Sequence, residues 1–164
     1  MKIPDHLQKP LLEQLEDQST SDDYLILRGS ALGYGLLSDY EKRDEFITRF
    51  ISTDLPDLEG YFLARELQAR GVGSKLIGDD YIKFLDQAKE IFETELEEAL
   101  PEIPDDIEID VATEPLKKAR QARSGLMENG FLREEWKTCV REAEHGRSIT
   151  VSYTHLTLPT ILLV

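Results

Sequence analysis

A glycine pair near the middle of the chain restricts the fold more than any other feature of the sequence. Residues 68–74 place Gln68, Gly71 and Gly73 in a Gln-x-x-Gly-x-Gly pattern. The apolar run 61–63 before the pattern is suited to a strand, and a helix-prone segment follows it. Glycines permit a tight turn and a close backbone approach to a ligand, and the first amides of a helix attract anions. The stretch therefore predicts a strand, a phosphate-binding turn and a helix.

This pattern resembles the acetyl-CoA loop of the general N-acetyltransferase (GNAT) superfamily, whose signature is Gln/Arg-x-x-Gly-x-Gly/Ala. One departure is Arg65, where the family often has proline. The resemblance implies an α/β (α+β) fold with a mixed, splayed central sheet flanked by helices. It also implies that acetyl-CoA, as a co-substrate, binds at Tyr61, Phe62, Leu63, Gln68, Ala69, Arg70, Gly71, Val72, Gly73 and Ser74.

The remaining elements are predicted from apolar spacing and turn residues, and their order resembles that of GNAT domains. Apolar residues at helical spacing predict helices over 10–18, 39–51, 81–100 and 117–127. Short apolar or alternating runs predict strands over 24–27, 31–37, 58–63, 107–111 and 136–140.

A second pattern, Gly130-Phe131, resembles the end of the second cofactor helix in the same family. The family's usual tyrosine, which commonly protonates the leaving thiolate, is replaced here by Leu126. The family's usual asparagine falls on Ala119 or Pro115, depending on the register. The resemblance therefore leaves the general acid unassigned.

The resemblance implies a transferase that moves an acetyl group to a primary amine by direct attack in a ternary complex. The attacking amine must lose a proton, and Glu59 and Glu114 are the candidate bases. The acceptor, a small-molecule or peptide amine, is left open, and a homodimer is compatible with the resemblance. Two alternatives stand beside this function. One is a catalytically weak, acyl-CoA-binding GNAT-like domain. The other is a non-enzymatic acidic interaction protein in which the glycines only cap a helix.

Charge narrows the classes of partner. The 164-residue chain has a formal net charge of −14, which disfavours nucleic acid and anionic membranes as main partners. No apolar run approaches the length needed to span a bilayer, so the cytoplasm is the expected location. Cys139 is the single cysteine, and the three histidines share no spacing with it, so no metal site is predicted.

The last fourteen residues are predicted not to belong to the native protein. Residues 151–160 resemble a translated transposase end sequence of the kind used in sequencing libraries, and 161–164 fit the same reading frame. We therefore expect a single GNAT-like domain over 1–150, incomplete at its C-terminus, followed by an adapter-derived tail over 151–164.

Overall fold

The computed structural model describes residues 3–103 and 113–149, and in this part of the chain every regular element is helical. The predicted α/β fold with a splayed central sheet is wrong, because no strand is present in the described residues. A short 3-10 helix at Leu100–Glu102 follows the fifth α-helix. The α-helices are α1 (Asp5–Asp17), α2 (Tyr24–Leu36), α3 (Tyr40–Ser52), α4 (Gly60–Leu76), α5 (Ile82–Ala99), α6 (Glu114–Leu132) and α7 (Trp136–Ile149).

Four helices agree with the apolar spacing of the sequence. The predictions over 10–18, 39–51, 81–100 and 117–127 are confirmed by α1, α3, α5 and α6, with α6 longer than predicted. Gly130 was expected near the end of the last of these helices, and it lies inside α6.

The two strands predicted over 24–27 and 31–37 are wrong, because these segments form α2 and its C-terminal cap residue. Asp23 caps this helix by accepting hydrogen bonds from the amides of Leu25 and Ile26. Leu27, Ala31 and Tyr34 are buried at helical spacing. A capped helix with one continuous buried face explains this segment better than two alternating strands.

The predicted strand, turn and helix around the glycine pair are also wrong. α4 runs without interruption from Gly60 to Leu76, through the whole of the Gln-x-x-Gly-x-Gly pattern. The predicted strand over 136–140 is likewise wrong, because it falls within α7. The predicted strand over 107–111 and the segment 151–164 lie outside the described residues.

The described residues divide into two compact units. The first contains residues 3–55 and 72–81, and therefore α1, α2, α3 and the end of α4. Tyr34 of α2 stacks on Phe46 of α3 with ring centroids 5.3 Å apart, and Ile47 and Phe50 extend the same core. Arg49 donates hydrogen bonds to main-chain carbonyls of the segment between α1 and α2, at Ser19 and Ser21. These contacts hold the first three helices together.

The second unit contains residues 56–71 and the described part of 82–149. Its core joins α4, α5 and α6 through Ala64, Leu67, Ala88, Phe92 and Leu126. Two buried side-chain amides tie the helices together, because the amide of Gln68 bonds to α6 and that of Asn129 bonds to the Leu85 carbonyl of α5 at 2.8 Å. The single-domain prediction for 1–150 stays a prediction.

Candidate functional site

The residues predicted to bind acetyl-CoA lie along one continuous helix rather than around a turn. Consecutive residues of an α-helix are turned by about 100°, so the predicted residues point in all directions around α4. The amides between Gln68 and Ser74 lie in the helix interior, where an amide donates to the carbonyl four residues earlier. They are therefore not available to hold a diphosphate.

The burial of these residues also argues against a common ligand site. Phe62 is 66% exposed, whereas Gln68 and Ser74 are completely buried. The ring of Tyr61 lies 6.1 Å from that of Phe92, at the edge of the core. The structure therefore does not gather these residues around a common opening. The remaining positions divide as follows: Leu63 packs against the core, Ala69, Arg70, Gly71 and Gly73 are buried, and Val72 is half-buried.

Gln68 belongs to a buried polar network between α4 and α6. Its Nε2 donates to the Gly125 carbonyl at 2.9 Å, and its Oε1 accepts from Arg65 Nη1 at 2.9 Å. Arg65 also forms an ion pair with Glu128, which is 95% buried. Buried polar groups need hydrogen-bond partners. Arg65 is the partner of both Gln68 and Glu128. The network accounts for the burial of Gln68 without a ligand.

The two predicted bases are exposed carboxylates at helix starts. Glu59 immediately precedes α4, and Glu114 is the first residue of α6. Glu114 lies 3.7 Å from Lys117 Nζ within its own first turn. Acidic side chains are favoured at helix N-termini by the helix dipole, so both positions have a structural explanation.

An aromatic patch stands out on the surface of the second unit. We use this name for Phe131, Trp136 and Val140, which are 37%, 57% and 56% exposed. The rings of Phe131 and Trp136 meet edge to face, with centroids 5.4 Å apart. Val140 is four residues beyond Trp136 on α7 and shares its helix face. Single exposed apolar residues are ordinary, but an adjoining set with an aromatic pair is typical of a contact surface.

Positive charge borders the aromatic patch. Lys137 and Arg141 follow Trp136 and Val140 by one residue each, so they form a second row of α7 that is turned by about 100° from the first. Lys137 is exposed and has no ion pair with another described residue. Arg141 is 59% exposed in its side chain and donates from Nε to Glu142 at 2.8 Å. The stretch 114–149 holds eight of the 19 Lys and Arg residues and only six of the 33 Asp and Glu residues.

The turn between α6 and α7 fixes the position of the aromatic patch. Arg133 pairs with Asp86 of α5 and donates from Nε to Glu135 at 2.7 Å. The hydrogen bond with Asp86, and then that with Glu135, raises the pKa of the Arg133 guanidinium above its usual value. The Glu135 amide donates to the Gly130 carbonyl at 2.8 Å. These bonds hold Phe131 and Trp136 together across the turn.

The sequence contained part of the signal for this surface. Trp136 and Val140 have the spacing of one helix face, and the only tryptophan of the chain is among them. Interpreting 136–140 as a strand concealed that face, because Trp136 and Val140 then belong to an alternating pattern. The contact with Phe131 depends on the geometry of the turn, in which Glu134 has a left-handed backbone conformation (φ 63°). No sequence motif predicts this conformation.

Comparison with protein-family models, with curated proteins and with solved structures finds no match to the chain. Across residues 3–103 and 113–149, no group of three or more His, Cys, Asp and Glu side chains is placed to hold a metal ion. Nor does any helix of the described part have the length and apolar composition required to cross a bilayer.

Proposed function

We propose that this chain is a non-catalytic helical interaction module that binds another protein through the aromatic patch. The carrying observation is the edge-to-face pair of Phe131 and Trp136, continued by Val140, on the surface of the second unit. Tryptophan supplies much of the binding energy in protein interfaces because its large ring loses little entropy on burial. This proposal corresponds to the non-enzymatic acidic interaction protein, one of the alternatives predicted from the sequence.

The acetyltransferase hypothesis was based on a strand, a turn and a helix around the glycine pair, and this segment is instead the continuous helix α4. A coenzyme diphosphate needs free amides at a turn, and in α4 the stretch from Gln68 to Ser74 lies within a helix. The interaction module is therefore the better supported function.

The proposal is tested with the chain's own fluorophore. Trp136 is the only tryptophan, so its emission reports burial of the aromatic patch directly. The probes are tryptophan-free amphipathic helical peptides of about 18 residues, a length at which helices become stable. They share one apolar face and carry glutamate, glutamine or lysine on the flanks. We expect a saturable blue shift of Trp136 emission with at least one of them.

Two variants locate the binding. Val140→Ser keeps the fluorophore but removes the apolar neighbour, and we expect it to weaken binding by about tenfold, the effect of losing about 1.4 kcal/mol. Phe62→Ser is the matched control, because Phe62 is an exposed aromatic residue of α4 in the same unit. It should leave the affinity unchanged. Absence of a saturable shift with all three peptides would overturn the proposal, as would equal losses in the two variants.

A further inference from the structure

We infer that the partner of this surface is an acidic amphipathic helix whose carboxylates pair with Lys137 and Arg141 while its apolar residues cover the aromatic patch. This inference rests on the proposed function and specifies its partner. It is carried by an apolar row and a cationic row of α7 that are both exposed and are turned by about 100° from each other.

The geometry of the two rows favours a helical partner. Trp136 and Val140 lie four residues apart, and so do Lys137 and Arg141. Rows at this spacing form the ridges that pack into the grooves of a second helix. A partner that meets both rows needs apolar residues at four-residue spacing and carboxylates at the same spacing beside them.

Local charge decides between an acidic and a basic partner. Lys137 has no ion pair with another described residue, and the exposed guanidinium of Arg141 has donors beyond the Nε that bonds Glu142. Both are therefore able to receive carboxylates from a partner. The net charge of −14 repels an acidic segment at long range. At physiological salt this repulsion is screened beyond about 8 Å, whereas charges in direct contact are screened much less.

A second copy of the chain is a poorer occupant. The strongly acidic helix of the described residues is α5, which carries Glu90, Glu93, Glu95, Glu97 and Glu98. Its apolar row is already used, because Leu85, Ala88 and Phe92 are completely buried in the core of the second unit. α5 therefore has no apolar face to offer to α7 of another copy, which favours an acidic helix from a different protein.

An anionic membrane is the other surface with acidic and apolar character. Interfacial helices that bind membranes carry many Lys and Arg residues on their polar face. Among the described side chains on the exposed face of α7, Lys137 and Arg141 are the cations, and Glu144 lies beside them. Two cations can pair with two carboxylates of a helix but are few for an interfacial helix, so their number favours a protein partner over a lipid surface.

The experiment compares the glutamate, glutamine and lysine peptides at about 0.02 M and about 0.5 M salt, concentrations at which exposed charges are weakly and strongly screened. We expect the glutamate peptide to bind about threefold to tenfold more tightly than the lysine peptide at low salt, as a few exposed ion pairs allow. The preference should decline at high salt. Lys137→Glu should reduce or reverse it, whereas Lys9→Glu, the same charge change at an exposed lysine of α1, should not.

The outcomes separate the partner from the function. Equal binding of the three peptides, or a preference for lysine, overturns the acidic partner and leaves the interaction module standing. Binding by none of them overturns both. Phosphatidylserine vesicles are the remaining arm, and a blue shift of Trp136 with vesicles that exceeds the shift with the glutamate peptide also overturns the inference. A concentration-dependent dimer that is lost in Val140→Ser overturns it in favour of a second copy.

Discussion

Gly125 of α6 lies against the ring of Phe92 of α5, so closely that a Cβ atom at position 125 would stand 2.4 Å from two of the ring carbons. Phe92 is completely buried, so its ring can move aside only by displacing its neighbours. The carbonyl of the same glycine accepts the hydrogen bond from Gln68 of α4. Three helices of the second unit therefore approach one another at a position where only glycine fits.

We expect Gly125→Ala to destabilise the protein. Alanine is the better helix former by about 1 kcal/mol, but forcing an extra carbon into a packed core costs about 1–3 kcal/mol. The overpacking is at the upper end of that range here because the contact is with a buried ring. A lower midpoint of urea unfolding, followed by far-ultraviolet circular dichroism, is the expected result. An unchanged or raised midpoint would mean that α5 and α6 are not packed as described.

Replacing a glycine of α2 is expected to raise the stability of the protein rather than lower it. A Cβ at Gly29 meets no atom within 4 Å, whereas a Cβ at Gly33 would stand 2.8 Å from Leu15 Cδ2. Both residues lie inside the same helix. Gly29→Ala should therefore stabilise the protein by about 0.5–1 kcal/mol through helix propensity alone. Gly33→Ala should give less or none of that gain. Thermal unfolding of the two variants measures the difference between their stabilities. Equal gains would show that α1 does not press on α2 at Leu15.

Because Arg65 and Glu128 form an ion pair, we expect substitutions of the two residues to have non-additive effects on the free energy of unfolding. Removing one partner of a buried pair costs about 3–5 kcal/mol, because the other charge remains buried without compensation. Arg65 is partly exposed, so we expect Arg65→Met to fall at the lower end of that range. Adding Glu128→Leu should recover most of the loss, although Gln68 Oε1 still lacks its donor. Unfolding of the two single variants and the double variant gives the coupling energy.

An exposed ion pair provides the comparison. Lys9 and Glu13 of α1 lie 3.7 Å apart, with most of both side chains in solvent. Lys9→Met should change the free energy of unfolding by no more than about 0.5 kcal/mol, as is usual for such helix pairs. If Arg65→Met were equally mild, the buried network would have no part in fixing α4 against α6.

Apolar spacing predicts a helix where the buried face is made of apolar residues and the opposite face is polar. In α5, Leu85, Ala88 and Phe92 follow that rule, and the helix was found from the sequence. In α4 the rule fails because Glu66, Gln68, Arg70 and Ser74 are buried as well. Polar residues on the inner faces remove the periodic contrast on which the prediction depends.

The glycine pair was misinterpreted for a related reason. A glycine inside a helix is unfavourable by about 1 kcal/mol relative to alanine, which is why a turn is the usual prediction. At Gly73 close packing explains the residue, because a Cβ there would stand 3.1 Å from Ile47 Cγ2. Only the three-dimensional structure reveals that contact. A Gly-x-Gly pattern therefore does not by itself distinguish a phosphate-binding turn from a closely packed helix.

Acetyl-CoA provides a direct test of that distinction. A ligand that binds only the folded state raises the unfolding temperature in proportion to the logarithm of its concentration, once saturation is passed. Because the amides from Gln68 to Ser74 lie within α4, we expect no such rise across a saturating concentration series. Coenzyme A and ATP serve as controls for nonspecific anion effects. A rise specific to acetyl-CoA would reinstate the coenzyme-binding hypothesis.

Lys118 of α6 predicts a pH dependence. Its Nζ lies 2.7 Å from Glu98 and 3.4 Å from Glu95. The hydrogen bond with Glu98 is the main cause that raises the lysine pKa above 10.5, and the charge of Glu95 adds to it against the opposing effect of burial. A folded-state pKa above the unfolded value gives stability that is complete below the unfolded pKa and is lost as the pH rises through the folded pKa.

The expected experiment compares the wild type with Lys118→Met between about pH 7 and about pH 12, a range that spans the lysine titration. Other titrating groups are common to both proteins and cancel in the difference between their unfolding midpoints. That difference should be constant up to about pH 10 and shrink above it as the lysine loses its proton. It should also shrink at high salt, because the pair is largely exposed. A difference that persists at the alkaline limit would instead assign the effect of Lys118 to the packing of its aliphatic stem.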